Sequence, residues 1–410
     1  MFLYKAILRR RAAQWRKAPG AAVPTVCVGN ITVGGTGKTP HTELIIRLLT
    51  QAGGPSAASL GAQPLIYPGT AEAVLSHSSD NSHPQALRIA VLSRGYKRKS
   101  KGFQYVRTDS SASFAGDEPL QIKRKFPEVT VAVDKDRVEG CRLLAEGGAG
   151  ALGPAPVRGC APHPSQADAW APPSDGAEGG TPPGPQGPCS VIILDDAFQY
   201  HRLHADLNIV LVDCNRPIWK DCMLPFGRLR DLPERIADAD IVIISKCPRW
   251  LEDERKQEIE RQVRALAAGK DIPIFYTYIE YEAPKPAFAD TNPHYSYAQS
   301  CILFTGIAND APLMAYLSDK YKETGHIGFA DHHSFSRGDI RRIARLAEKY
   351  PTAMIATTEK DAQRIRDCRD VPDVIRKRLF EVPIRAEFLE EGMREEFCRI
   401  LLSLHKTEVL

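Results

Sequence analysis

The chain has 410 residues, 43% of them hydrophobic and 25% charged, the composition of a soluble globular protein with length for two or three domains. A net charge of +4 is too small to point to nucleic acid, and no nucleic-acid partner is expected. Ten cysteines without a CxxC pair argue against a zinc site or a disulfide framework and point to a reducing cytoplasm.

The N-terminal stretch "MFLYKAILRRRAAQWRK" carries Lys5, Arg9, Arg10, Arg11, Arg16 and Lys17, with no acidic residue before Pro19 and Gly20 break it. Phe2, Leu3, Ile7, Leu8 and Trp15 can gather on part of a helix surface. The apolar run is far short of the roughly 20 residues a spanning helix needs, and no small-residue cleavage site follows it. Residues 1–19 read either as a basic amphipathic helix on an anionic membrane surface or as a solvated helix packed on the domain.

Next, "TVCVGN" reads as a strand, "ITVGGTGKT" as a loop and "PHTELIIRLL" as a helix, with Pro40 suited to a first helical turn. Strand, glycine loop, Lys-Thr and helix together make a phosphate-binding loop. Thr32, Val33, Gly34, Gly35, Thr36 and Gly37 form that loop. Its glycines let backbone N–H groups turn toward phosphate oxygens, and the helix N-terminus adds its positive end. Lys38 is placed to reach the β- and γ-phosphates and the Thr39 hydroxyl to join a Mg²⁺ shell. The strict pattern has glycine where this chain has Thr32.

Two segments interrupt the pattern, 51–83 and, more strongly, 147–188. Their Pro, Gly, Ala and Ser content reads as low complexity, the second as a disordered insertion. Around them "RIAVLS", "VTVAV", "SVIILDD", "LNIVLVD" and "ADIVIIS" read as buried parallel strands, with "TELIIRLLTQ" and "DRVEGCRLLAE" among the intervening helices. This alternation predicts an α/β chain: a P-loop NTPase-type, doubly wound parallel sheet over residues 20–283. A linker at 284–300 leads to a second, smaller α/β domain at 301–410, with strands in "SCILFTGI", "HIGFADH" and "TAMIATTEKD".

Carboxylates fall at the places where a phosphate-transfer site needs them. "VIILDDAFQYHR" ends an apolar strand with Asp195 and Asp196. Strand carboxyl ends line the crevice of such sheets, and a strand-end Asp is how these folds hold magnesium. Adjacent side chains on a strand face opposite ways, so one carboxylate can face the metal and the other the substrate. In "AGDEPLQIKRK", Asp117 and Glu118 open a helix, as caps or as a general base. His332 and His333 of "FADHHSF" offer such a base an orienting partner. Arg94 and Gly95 of "SRGYKRKSKG" follow a strand end, where Arg suits bidentate phosphate contacts.

Together "VGNITVGGTGKTP", "SRGYKR", "GDEP", "DKDRVEG", "ILDDAFQYHR", "LPFGRLRD", "FTGIAND", "FADHHSF" and "TTEKDAQRI" resemble the tetraacyldisaccharide 4'-kinases of lipid A biosynthesis, in the family's order and over nearly the whole chain. The Thr32 form of the loop resembles the family's own. The resemblance implies transfer of the γ-phosphate of ATP to the 4'-hydroxyl of a tetraacylated glucosamine disaccharide 1-phosphate. It implies a peripheral enzyme on the cytoplasmic face of the bacterial inner membrane, with its site between two α/β/α units. Lys38 and Thr39 would hold nucleotide and metal, and Asp195 and Asp196 would serve Mg²⁺ and the reaction centre. Asp117 would be the base, paired with His332 or His333. Arg94, Gly95, Tyr96, Glu118, Arg137, Gln199, Arg230 and Asp231 would lie around the substrate. The chain has Arg230-Asp231 where the family usually has Arg-Glu, and Ala197 and Tyr200 also vary from the commoner pattern. A membrane-associated P-loop GTPase of the metallochaperone type is the alternative, but "ISKCPRW" lacks the Asn and Asp of a guanine-reading Asn-Lys-x-Asp.

Overall fold

The computed structural model describes residues 2–53, 87–147, 187–331, 333–368 and 370–404. Most of the two low-complexity segments, and His332, therefore lie outside the described residues.

Runs such as "IVIIS" have no polar face, so they are stable only where helices cover both sides of a sheet. They form the centre of a nine-stranded sheet in the order β14-β8-β7-β6-β1-β5-β2-β4-β3. Its strands are β1 (Thr25–Asn30), β2 (Ile89–Ser93), β3 (Gln104–Tyr105), β4 (Thr130–Val133), β5 (Val191–Asp195), β6 (Leu207–Asp213), β7 (Ile241–Ser245), β8 (Ile274–Tyr281) and β14 (Ile384–Phe388). All neighbours run parallel except the pairs at the two edges, β3 with β4 and β14 with β8. A second sheet, in the order β11-β10-β12-β13-β9, contains β9 (Lys285–Pro286), β10 (Ser300–Thr305), β11 (Lys322–Gly328), β12 (Met354–Thr358) and β13 (Leu379–Val382).

The helices that matter below are α1 (Phe2–Trp15), α2 (Lys38–Gly53), α3 (Asp117–Lys125), α4 (Arg137–Ala145), α5 (Asp253–Leu266), α6 (Ala311–Ser318), α7 (Arg337–Lys349), α8 (Glu359–Arg366) and α9 (Glu391–Ser403). On α1 the residues Leu8, Ala12 and Trp15 are buried while Arg9, Arg10 and Arg11 are exposed, so one stripe of the helix is packed on the protein. No helix among the described residues is long and apolar enough to cross a membrane.

The sheets divide the chain differently from the boundaries read at 284, 300 and 301. β9 lies within the expected linker but forms the edge of the small sheet. β14 and α9 lie within the expected small domain but return to the large sheet, where Phe388 and Phe397 pack against Phe275 with ring centroids 6.0 and 5.3 Å away. "LFEVPIRAEF" reads as one extended run. Pro383 cannot donate to a ladder, and it separates β13 in one sheet from β14 in the other. β11 also begins before the expected "HIGFADH" and stops at Gly328, leaving Phe329, Ala330 and Asp331 outside the strand.

Candidate active site

β1 ends at Asn30, and the chain turns through residues 31–37 into α2. Gly34 and Gly37 have φ of 90° and 86°, a region closed to most side chains. A Cβ on Gly34 or Gly35 would meet no atom within 4 Å, so open space lies over the loop. The loop is braced from below. Asn30 Nδ2 donates to Thr36 Oγ1 at 2.8 Å, Ser245 Oγ donates to the Thr36 carbonyl at 2.8 Å, and the Lys246 ammonium donates to the Gly35 carbonyl. Thr32 forms an antiparallel bridge with Leu229, flanked by Val33 N–H donating to Arg228 O at 2.8 Å. Extended backbone at that bridge has no need of glycine, which accounts for threonine there.

His41, on the first turn of α2, is fully buried between the Gly37 carbonyl at 2.7 Å and Thr277 Oγ1 at 2.8 Å. Burial pushes its pKa down to about 4, so the ring is neutral near pH 7. The roles of His41 and Lys246 are not legible locally, because the contacts of His41 with Thr277 and of Lys246 with the Gly35 carbonyl each join segments more than 200 residues apart.

Asp195 and Asp196 close the far side. Asp195 is buried at the end of β5, where Ser93 Oγ donates to its Oδ2 at 3.1 Å and its Oδ1 has no hydrogen-bond partner. Burial, and then the nearby Glu118 and Asp196 charges, push its carboxyl up to about 7. Asp196 adopts a left-handed φ of 50°, and its N–H donates to Val28 O at 2.9 Å. Its carboxylate accepts from the Arg230 guanidinium, with Nη1 to Oδ2 at 3.2 Å, and lies 3.7 Å from Lys38 Nζ. Burial opposes that charge, but Lys38 and Arg230 outweigh it and hold Asp196 below its ordinary value. Among the described residues no three His, Cys, Asp or Glu side chains are grouped to hold a metal. The buried, unpartnered Oδ1 of Asp195 and the buried Thr39 hydroxyl are an all-oxygen donor set that fits Mg²⁺ when phosphate oxygens complete it.

The third wall is the start of α3. Gly116 has φ 95°, and a Cβ there would lie 3.2 Å from Gly95, itself at φ 66°. This close glycine contact sets Asp117 and Glu118 beside the end of β2. Arg364 of α8 donates from Nε (3.0 Å) and Nη2 (2.7 Å) to Asp117 Oδ2, and Lys360 Nζ lies 2.6 Å from Glu118 Oε1. Lys360, acting against burial, holds Glu118 below its ordinary value.

The remaining expected residues are placed as follows. Arg137 is buried, donating to the Asp134 and Asp195 carbonyls at 2.6 and 3.3 Å. The Gln199 amide donates to Asn30 O. Arg94 and Tyr96 are exposed at the end of β2. Asp231 differs from the expectation: it is buried, accepting from Leu232 N–H at 2.9 Å and Arg235 Nη1 at 3.5 Å, so its contacts are internal. Of the two histidines expected to pair with Asp117, His333 has its Nε2 3.0 Å from Asp339 Oδ2, in the N-terminal capping box of α7, while His332 lies outside the described residues. Among the described residues it is Arg364 that donates to the Asp117 carboxylate.

A parallel sheet with a glycine loop entering a helix at its central strand, and a carboxylate ending the adjacent strand, defines a P-loop nucleotide-binding phosphotransferase. The family follows from sequence comparison. The chain belongs to the tetraacyldisaccharide-1-P 4'-kinase family, whose sequence pattern it matches over residues 1–59 and 78–403. It is 33% identical to the tetraacyldisaccharide 4'-kinase of Phocaeicola vulgatus over 375 residues, which is 90% of this chain and 82% of that protein. With the enzyme of the same name from Flavobacterium johnsoniae it is 31% identical over 380 residues, covering 91% and 85%. The fold is similar to a crystal structure of "apo" form LpxK from Aquifex aeolicus in complex with ATP, at a TM-score of 0.61 and 22% identity, covering 98% of this chain and 96% of that one. These matches do not favour the GTPase alternative.

Proposed function

We propose that this chain transfers the γ-phosphate of ATP to the 4'-hydroxyl of a tetraacyldisaccharide 1-phosphate, the lipid A precursor, at the cytoplasmic surface of the bacterial inner membrane. The observation that carries the reading is the convergence of three walls: the glycine loop with Lys38, the Asp195-Asp196 strand end, and the acidic start of α3.

The loop N–H groups and Lys38 bind and orient the phosphates, and charge stabilisation by such fixed groups supplies most of the rate in phosphoryl transfer. Thr39 and Asp195 would hold Mg²⁺, which when bound would neutralise phosphate charge. Asp196 keeps Lys38 and Arg230 in place across the loop. Asp117 accepts the proton of the 4'-hydroxyl as its oxygen bonds to the γ-phosphorus and the bond from that phosphorus to the β,γ-bridging oxygen breaks, releasing ADP. Its Oδ2 is taken by Arg364, which leaves Oδ1 for that proton. The outward face of α1, with Arg9, Arg10, Arg11 and the 43% exposed Ile7, meets the anionic membrane surface. Acyl chains stay in the bilayer, since exposing each CH₂ costs about 0.8 kcal/mol.

The test is phosphate transfer from radiolabelled ATP to a tetraacyldisaccharide 1-phosphate in mixed micelles, with Asp117→Asn alongside. Loss of a general base lowers turnover by about 10²–10⁴-fold, with ATP binding unchanged. Near-normal turnover of Asp117→Asn would remove Asp117 from the role of base. No transfer by the unmodified protein would remove the reaction itself.

A further inference from the structure

The motif "TTEKDAQRI" supplies no group to the walls described above, yet it carries the side chains that grip Asp117 and Glu118. Lys360 and Arg364 stand four residues apart on α8 and so share one face of that helix. They meet Glu118 and Asp117, which lie more than 240 residues earlier in the chain.

The Arg364 contact is built rather than incidental. Its side chain is 9% exposed, and the guanidinium is itself held from behind, with Nη1 donating to Asp361 Oδ1 at 2.9 Å and to the Gly306 carbonyl at 3.4 Å. Asp361 is fully buried, accepting at Oδ2 from Gly306 N–H and from Thr358 Oγ1, each at 2.8 Å. The ends of β10 and β12 therefore fix Asp361, Asp361 fixes Arg364, and Arg364 fixes one carboxylate oxygen of Asp117 with two N–H groups. Gln363 Nε2 adds a contact to the Asp117 carbonyl at 3.5 Å. A rigid planar fork on one oxygen sets the plane of the carboxylate, which a point-charge ammonium does not do.

We propose that Arg364 is a positioning residue for phosphate transfer: it turns the Asp117 carboxylate so that Oδ1 faces the acceptor hydroxyl, and Asp361 is the post on which it is fixed. The smaller sheet thereby contributes orientation to a base carried by the larger one. This rests on Asp117 being the base.

The experiment is a double-mutant cycle on the full-length protein in the lipid kinase assay. Arg364→Lys is the main variant, because it keeps a cation beside buried Asp361. Arg364→Ala is the second, with circular dichroism and a thermal melt for each. Misplacement of a catalytic group by about 1 Å costs up to ~10²-fold, so Arg364→Lys is expected to lower kcat by about 10-fold or more. KM for ATP stays within about 3-fold, as uniform binding is untouched. In the Asp117→Asn background the same change costs under about 2-fold, because residues acting as one unit are non-additive. Equal losses in both backgrounds, or a loss confined to KM or to the melt, would overturn the positioning role while leaving Asp117 as base. If Asp117→Asn alone keeps its turnover, the base reading fails and this inference with it.

Discussion

Gly29 is a severe test of how the site is built. Its φ lies outside the left-handed region, so the backbone tolerates a side chain, and only space forbids one. A Cβ on Gly29 would lie 2.4 Å from Phe198 Cβ, 3.2 Å from its backbone N and 3.4 Å from its Cα. Because Cβ is fixed to the backbone, no rotamer of Phe198 relieves the contact. The turn carrying Asp195 and Asp196 has to move, and it is pinned by Asp196 N–H on Val28 O at 2.9 Å and by a fully buried Phe198 ring. Overpacking of this kind costs about 1–3 kcal/mol. A shift of the two aspartates by a fraction of an ångström lowers turnover by about 10-fold or more. Gly29→Ala is therefore expected to unfold earlier in denaturant and to lose turnover beyond what its folded fraction accounts for. A variant matching wild type in unfolding midpoint and turnover would refute the tight approach of β1 to the Asp195–Phe198 turn.

Three further outcomes are expected. His41 has its folded pKa near 4, below its unfolded value, so its stability contribution is complete above about pH 6.5 and is lost as pH falls through 4. Buried Glu43, pushed up to about 7, acts with the opposite sign: its contribution is present below its unfolded value and lost as pH rises through 7. The two offset in wild type, so the comparison is with His41→Gln. The stability advantage of wild type over that variant should shrink by about 3 kcal/mol between pH 7.5 and pH 4, read by urea unfolding. A constant difference would refute a buried neutral imidazole. Deleting residues 148–186 should leave the melt and turnover within about 2-fold of wild type, because the flanks already touch: a Cβ on Gly147 would lie 2.8 Å from Gly187 C. An unfolded product would refute that closure. Replacing Arg9, Arg10 and Arg11 together by Ser removes about 1 kcal/mol of attraction each at an anionic surface, weakening partition onto phosphatidylglycerol vesicles by about 100-fold at low salt. Unchanged partition would refute α1 as the membrane-facing element.

How far the sequence reaches depends on where the information sits. β1, β2 and β4–β7 are legible because a strand buried on both faces is apolar along most of its length, with polar residues mainly near its ends. β8, with Thr277 and Glu280 among its aromatics, and β14, alternating as "IRAEF", lack that signature, and only tertiary pairing defines them. The glycine loop is legible because its chemistry is local. Arg364 on Asp117, Lys360 on Glu118 and Lys246 on the loop are not, since each joins segments some two hundred or more residues apart. Asp231 is not placed by its sequence position for the same reason: its neighbour Arg230 reaches the site, while Asp231 itself turns inward to Arg235.

That inward turn ties the N-terminal helix to the reaction centre. The Arg235 guanidinium lies 4.9 Å from the Trp15 ring and 4.7 Å from the Phe198 ring, and Trp15 packs on Phe198 at 5.9 Å and on His204 at 4.3 Å. Arg235 Nη2 also donates to Phe198 O at 3.3 Å, and Arg16 pairs with Asp238 at 2.7 Å. The buried stripe of α1 is thus committed to the same cluster that seats the Asp195–Phe198 turn, while Arg9, Arg10 and Arg11 face outward. Removing α1 would strip a wall from this cluster as well as the membrane contact proposed for it. For that reason charge substitutions on the outer face separate the proposed membrane attachment from catalysis, whereas truncation of the helix confounds the two.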